Sequence, residues 1–215
     1  MISEYFCFFH SDNLPPNHDK NSHALPDLEL FWTAAYGASV VPPLPKGKGG
    51  GSLMVQNTCP VSVGTIRLSR EGANDVKVDP VVDPKLLSDP SDWEVYRRGI
   101  PFAIELAKKM RESGYEIEPA DVPASLETKD IDDFVRSHAW ASQHYTSSCR
   151  MKPLEEGGVV DQQLRVYGVK NLRIADASVF PAQVASRPQA TVVMIAERCA
   201  DFIRQEWNAP EIKKA

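Results

Sequence analysis

One histidine, His144, is a candidate for acid–base chemistry. His144 lies in a polar, irregular stretch and is followed, after Tyr145, by small hydroxyl side chains at 146–148. Such a run favours a tight polar turn that can direct an imidazole into a cleft. An imidazole accepts and returns protons near neutral pH. Taken alone, however, a loop histidine is more often structural or exposed than catalytic.

A second feature is the junction between a short apolar strand and the last predicted helix. The strand ends at Asp176, and the helix is predicted to begin at Pro188, a residue suited to a first helical position. No acidic residue follows until Glu197. The unpaired N–H groups and positive dipole end of the helix could therefore stabilise a negative charge. A plain helix packed on a strand explains the same pattern more simply.

The cysteines, the other histidines and the glycine-rich run indicate no further site. The four cysteines have no metal-ligand or redox spacing, which favours separate thiols over a disulfide framework. The run at 41–52 matches neither common phosphate-binding pattern and leads into a strand. The histidines before residue 26 lack the helical spacing of a zinc pair. No metal site is predicted.

Composition and charge are those of an ordinary globular protein. The 215 residues are 42% hydrophobic and 25% charged, with a net charge of −5. No basic cluster suits a nucleic-acid partner, and no apolar run suits a membrane-spanning helix. The first residues lack the basic start and cleavage site of a signal peptide. Compartment and oligomeric state stay open.

The order of predicted elements indicates an α+β fold. Residues 1–26 contain many turn formers and are predicted to be irregular. Alternating stretches predict strands at 27–36, 52–58 and 64–69, with links short enough for an antiparallel sheet.

Helical patterns follow these strands. A capping box at Ser91 and Glu94 predicts a helix start, Pro101 should kink or interrupt that helix, and Gly114 should end it. The remaining predictions are a helix at about 128–140, strand-like pieces at 164–167 and 172–175, and a last helix at about 188–207.

The order and spacing of the C-terminal motifs resemble a known family. The motifs are HYTSSCRM from His144, GGVVD at 157–161, LRVYGVKNLRIADASVFP at 164–181 and RPQATVVMIAERCADFI at 187–203. Together they resemble the C-terminal signature of the glucose–methanol–choline (GMC) oxidoreductases. The resemblance is strongest over 138–204 and weaker over 27–137.

The resemblance implies a two-part flavoprotein. After the lead-in at 1–26, residues 27–150 would form part of an antiparallel substrate-domain sheet with helices on one face. Residues 151–215 would form a strand–helix segment that returns to the FAD-binding domain. The FAD-binding βαβ unit is expected to be absent from this chain, because no GxGxxG turn occurs in it.

The resemblance also implies an activity. Members of this family generally oxidise an alcohol to a carbonyl by moving a hydride to flavin N5, so FAD and a small alcohol are the implied cofactor and substrate. His144 resembles the catalytic histidine that takes the hydroxyl proton.

Arg187 falls on a second catalytic position that is usually histidine or asparagine. An arginine is no base, but it could bind an alkoxide or a carboxylate, or stabilise anionic reduced flavin. It could equally be an ordinary helix-start residue.

Four more residues resemble cofactor contacts. Asp176 and Ala177 resemble residues that lie against the ribityl and phosphate side of the flavin. Pro188 and Gln189 resemble helix-start residues whose backbone approaches the N1–C2 edge of the ring. This implication agrees with the dipole argument for the same helix.

Two alternatives remain. Some relatives carry out non-redox chemistry, as lyases or decarboxylases, on the same frame. The other alternative is a truncated, non-catalytic fragment, and the 215-residue chain taken alone is expected to be inactive, because it lacks the unit that holds the flavin. It would then expose an apolar face of its last helix and associate. That face comprises Val192, Ile195, Cys199 and Ile203. The sequence names neither the alcohol nor the choice between oxidase and dehydrogenase.

Overall fold

The computed structural model describes residues 3–13, 25–33, 49–70, 75 and 77–207. Over this part of the chain the fold is α+β, with antiparallel strands and helices, as predicted. The chain divides into two compact units. The first unit is Met1–Gly64 with Asp83–Ser142, and the second unit is Thr65–Val82 with Gln143–Ala215.

The first unit contains a three-stranded antiparallel sheet. Its strands β1 (Ser3–Phe9), β2 (Leu28–Thr33) and β3 (Ser52–Asn57) lie in the order β1-β2-β3. The prediction that residues 1–26 are irregular is wrong for β1, which pairs with β2 along its length. Aromatic residues favour a strand there, but the strand depends on a partner that is distant in sequence.

The first helix, α1 (Pro90–Glu112), begins earlier than predicted. Its N-cap is Asp89, whose Oδ1 accepts hydrogen bonds from the Ser91 amide at 2.9 Å and the Ser91 hydroxyl at 2.6 Å. The predicted capping box from Ser91 is therefore wrong, because Asp89 followed by Pro90 is a stronger start signal. The helix continues through Pro101, so the proline does not interrupt it.

Helix α1 packs against the sheet at close range. Leu28 and Leu30 of β2 form a core cluster with Val95 of the helix. Gly99 lies at the closest approach, because a Cβ added there would collide with side-chain atoms of Leu28 and Val55. The hydrophobic side chains of β2 therefore position the helix. Because Gly99 has no side chain, α1 can lie this close to the sheet.

The second helix, α2 (Thr128–His138), lies within the predicted range. Its Ile131 and Val135 pack against Ile100 of α1. Arg97 of α1 crosses to α2 and donates two hydrogen bonds to Asp132, at 2.8 and 2.7 Å. These bonds hold the pKa of the Asp132 carboxyl below its usual value, although partial burial opposes the shift.

The second unit contains little regular structure before its helix. Strands β4 (Thr65–Arg67) and β5 (Val81–Asp83) form a two-stranded sheet. The strand-like pieces predicted at 164–167 and 172–175 form only isolated bridges, one of which joins Arg165 to Arg173. The strand-like pieces therefore do not form regular strands, because they meet other residues only at single pairs and no described strand lies beside them.

The last helix, α3 (Gln189–Glu206), begins one residue later than predicted, with Pro188 as its N-cap. Its Cys199 is buried, and Ile195 packs beside it against the core cluster formed by Val160, Leu164 and Val179. The expected exposure of this face is therefore wrong for Cys199 and Ile195. Ile203, one turn further along the helix, is exposed as expected.

Candidate active site

His144 lies in a loop of the second unit with an unusual backbone. The flanking residues Gln143 and Ser147 have φ values of 61° and 68°. Residues other than glycine rarely adopt this left-handed conformation, so surrounding contacts must stabilise it. The imidazole is half-buried, and within the described part of the chain it makes no hydrogen bond.

Three backbone hydrogen bonds attach this loop to the turn that follows Asp176. The amides of residues 147, 149 and 151 donate to the carbonyls of residues 177, 178 and 179 at 3.2, 2.9 and 2.9 Å. That turn is the short 3-10 helix Ala177–Val179, and Val179 is buried in the core of the unit. The histidine loop, residues 143–151, is therefore anchored to a buried element.

A chain of side-chain hydrogen bonds links the same loop to the segment before α3. The Thr146 hydroxyl donates to Gln183 Oε1 at 2.8 Å, and the Ser147 hydroxyl donates to Thr146 Oγ1 at 3.2 Å. Gln183 lies between the 3-10 turn and the helix. Sequence reasoning missed Gln183, because a single loop glutamine has no recognisable spacing.

Asp176 and Ala177 meet the histidine loop at this turn. Asp176 is exposed, and its Oδ1 accepts a hydrogen bond from the Ser178 amide at 2.7 Å, so it caps the 3-10 helix. The Ala177 carbonyl accepts the Ser147 amide. The structure thus gives both residues a local structural role, and their place beside a cofactor stays a prediction.

The start of α3 has backbone donors that no side chain caps. Its N-cap Pro188 provides no side-chain hydrogen bond, and the first turn contains no acidic residue. The first amides, beginning with Gln189, therefore present the positive end of the helix dipole. Arg187 is exposed just before the helix and adds a permanent positive charge. This set of donors suits an anion or an electron-rich ring edge such as that of a flavin.

Other kinds of site are not apparent in the described ranges. None of the three α-helices described there is long and apolar enough to cross a membrane. Among the same residues, no three His, Cys, Asp or Glu side chains come together to hold a metal ion. All four cysteines are free thiols.

Comparison with known proteins identifies the family. The family model for GMC oxidoreductases, in its C-terminal part, matches residues 60–196. The chain belongs to the GMC oxidoreductase family. Members of this family are FAD-binding oxidoreductases, which confirms the predicted family and cofactor.

Named relatives and solved structures agree with this assignment. A dehydrogenase of Monascus purpureus is 37% identical over 158 residues, covering 72% of this chain and 24% of its own. Choline oxidase of Arthrobacter globiformis is 39% identical over 166 residues, which cover 74% of this chain and 30% of the choline oxidase. A structure of formate oxidase from Aspergillus oryzae has TM-score 0.76 and 28% identity, and the match covers 84% of this chain and 32% of the formate oxidase. That structure contains an arginine-to-lysine substitution studied for its effect on FAD modification.

The chain spans about a quarter to a third of the length of these relatives. The similarity to solved structures agrees with the α+β arrangement of strands and helices. The roles of His144, Arg187 and the four cofactor-contact residues stay predictions.

Proposed function

We propose that this chain supplies the substrate side of an FAD-dependent enzyme that oxidises an alcohol to a carbonyl, with His144 as the proton acceptor. Membership of the family and the similarity to choline oxidase support this proposal. Residues 27–150 would belong to the substrate domain, and residues 151–215 would return to the FAD-binding domain. Bound FAD would accept a hydride at N5.

The observation that carries the proposal is the setting of the His144 ring. The ring is half-buried in an anchored loop and makes no hydrogen bond to another described residue, so a ring nitrogen is available to an incoming hydroxyl. Taking that proton in step with departure of the hydride is general-base catalysis. A fixed loop also lowers the entropic cost of aligning base and substrate.

Arg187 and the start of α3 would stabilise negative charge. Arg187 cannot accept a proton, so its proposed part is electrostatic, toward an alkoxide or the reduced flavin. Pro188 and Gln189 would place the first amides of the helix at the N1–C2 edge, where the uncapped backbone donors match developing charge. Asp176 and Ala177 would lie toward the ribityl side.

A second candidate is oxidation of a small carboxylate such as formate. It is favoured by the position of Arg187, an exposed residue just before a helix start that has no side-chain cap. The guanidinium group can bind a carboxylate through two parallel hydrogen bonds. The similar formate oxidase, in which an arginine substitution was studied for its effect on FAD modification, supports this candidate.

The test begins with flavin binding. The chain is mixed with FAD, passed through gel filtration and examined for a visible flavin band, and then assayed with choline, aryl alcohols and formate. His144→Ala should lower kcat by roughly 10²- to 10⁴-fold. His10→Ala, in the first unit, is the matched control and should retain the rate.

Each outcome separates the candidates. An unchanged rate in the His144 variant would rule out its role as base. Formate turnover that disappears in Arg187→Ala would select the carboxylate candidate over alcohols. Absence of a flavin band would support the alternative of a non-catalytic fragment. A flavin band without reduction by any substrate would support a non-redox member of the family.

A further inference from the structure

We propose that Gln183 is a positioning residue for His144 and acts through the Thr146 hydroxyl. The inference rests on the proposed role of His144 as the proton acceptor. No motif singles out Gln183, and its connection to the histidine appears only in the folded chain.

The histidine loop needs such a restraint because of its backbone. Gln143 and Ser147, on either side of His144, are both in the left-handed region, at φ 61° and 68°. Such conformations are costly for residues other than glycine and persist only where neighbouring contacts enforce them. Thr146 precedes Ser147, and its hydroxyl connects the loop to a segment that is distant in sequence.

The direction of the hydrogen bonds explains why a glutamine suits this position. The Ser147 hydroxyl donates to Thr146 Oγ1, which leaves the Thr146 proton free to be donated onward. The acceptor is Gln183 Oε1 at 2.8 Å, between partly buried side chains. An uncharged amide oxygen accepts this proton without placing a carboxylate near the developing negative charge of the proposed reaction.

The location of Gln183 adds a second consequence. The residue lies after the 3-10 turn Ala177–Val179 and before α3, on the segment that leads to Arg187. The loop is already bonded to that turn by the Ser147 amide. The Thr146–Gln183 bond therefore restrains the histidine loop against the same stretch of chain that carries the other candidate catalytic residue.

The test is amide hydrogen exchange in the 215-residue chain, measured by NMR at Ser147 and Cys149. Both amides are hydrogen-bonded to the 177–179 turn, so their exchange rates report release of the loop. Thr146→Val removes the hydroxyl at nearly constant shape, and Gln183→Leu removes the acceptor. Each should raise the Ser147 exchange rate roughly fivefold, as expected for loss of one hydrogen bond.

Controls separate positioning from general damage. Thr146→Ser retains a hydroxyl and should restore exchange to within about twofold of the parent chain. Ser148→Ala removes an exposed neighbouring hydroxyl that has no hydrogen bond to a described residue, and it should leave exchange unchanged. Circular dichroism and thermal melting of all variants confirm that the fold is retained.

The double variant decides between one shared bond and two separate effects. If Thr146 and Gln183 act through one bond, Thr146→Val with Gln183→Leu should exchange no faster than either single variant. Unchanged Ser147 exchange in the single variants, or effects that add in the double variant, would overturn the proposal. These results do not depend on turnover, so they are distinguishable from a failure of the proposed function.

A kinetic measurement on the flavin-loaded protein completes the test. Positioning of the base predicts a lower kcat with KM within about twofold in Thr146→Val and Gln183→Leu, and recovery of kcat in Thr146→Ser. A rise in KM at constant kcat would contradict the proposal, because it would place Gln183 in substrate binding.

Discussion

Arg97 and Asp132 form a two-point contact between the first two helices. Arg97 also bonds Glu94 at 2.6 Å, so one guanidinium connects two carboxylates. The hydrogen bonds from Arg97 outweigh burial and lower the Asp132 pKa. A lowered pKa means that the folded protein binds this proton less readily than the unfolded chain. The resulting stabilisation is present above about pH 4 and is lost as the pH falls through the folded-state pKa.

The first prediction concerns Asp132→Asn. The free energy of unfolding in urea should be lower for the variant than for the parent chain at pH 7 and pH 5, and the two should converge as the pH approaches 3. Asp79→Asn, at an exposed position without a salt bridge to a described residue, should show no such convergence. A difference between Asp132→Asn and the parent that stays constant from pH 7 to pH 3 would contradict the argument.

At the same scale, the candidate site divides into residues that sequence could predict and one that it could not. His144, Asp176 and Arg187 belong to local motifs whose order is specific. Gln183 lies 37 residues from its partner Thr146, and the bond exists only because the chain folds back. Side-chain pairs of this kind carry no local signal.

Among the elements, the start of α1 depends on a buried carboxylate. Asp92 is 3% exposed. Its Oδ1 accepts from the Asn57 amide group at 3.1 Å and from the Val61 amide at 2.8 Å, and its Oδ2 accepts from the Ser62 amide at 2.9 Å. The helix start is thereby connected to the segment that leaves β3.

The second prediction compares Asp92→Ala with Asp89→Ala. Loss of Asp92 leaves several donors without an acceptor and should cost about 2–3 kcal/mol of unfolding free energy. Loss of the cap at Asp89 should cost about 1 kcal/mol. Urea denaturation followed by circular dichroism measures both. Equal costs, or a larger cost at Asp89, would mean that the buried network contributes little.

The elements that sequence predicted well are those with local causes. Helices α2 and α3 agree with prediction because the apolar spacing that determines them is local, although neither helix start has a side-chain cap. The sequence fails to predict strand β1, and it predicts strand-like pieces at 164–175 that do not form regular strands. In both cases the presence or absence of a partner strand, which is not a local property, decides whether a strand forms. The start of α1 was misplaced because two capping signals lie two residues apart.

For the whole molecule, the surface of α3 is the feature with consequences in solution. One side of the helix exposes apolar residues at helical spacing: Val193, Ala196, Ala200, Ile203 and Trp207. Val193 is 54% and Trp207 is 69% exposed. A contiguous apolar stripe of this kind favours association between molecules. The net charge of −5 opposes it only through weak long-range repulsion.

The third prediction follows from this stripe. Sedimentation velocity should detect concentration-dependent association of the chain, and Val193→Lys should reduce it. Val169→Lys is the matched control, because it makes the same substitution at an equally exposed valine (51%) outside the helix. If both variants reduce association equally, net charge rather than the α3 stripe would be responsible.

Gly99 has a consequence for protein engineering. In a helix interior, alanine is normally favoured over glycine by about 1 kcal/mol. A design method that optimises helix propensity would therefore replace Gly99 with alanine. At position 99 the added methyl group would collide with Leu28 and Val55, and separating α1 from the sheet would open voids along a packed interface. Gly99→Ala should therefore lower the melting temperature. A library of random variants selected for folding should retain glycine at a site where statistical design would remove it.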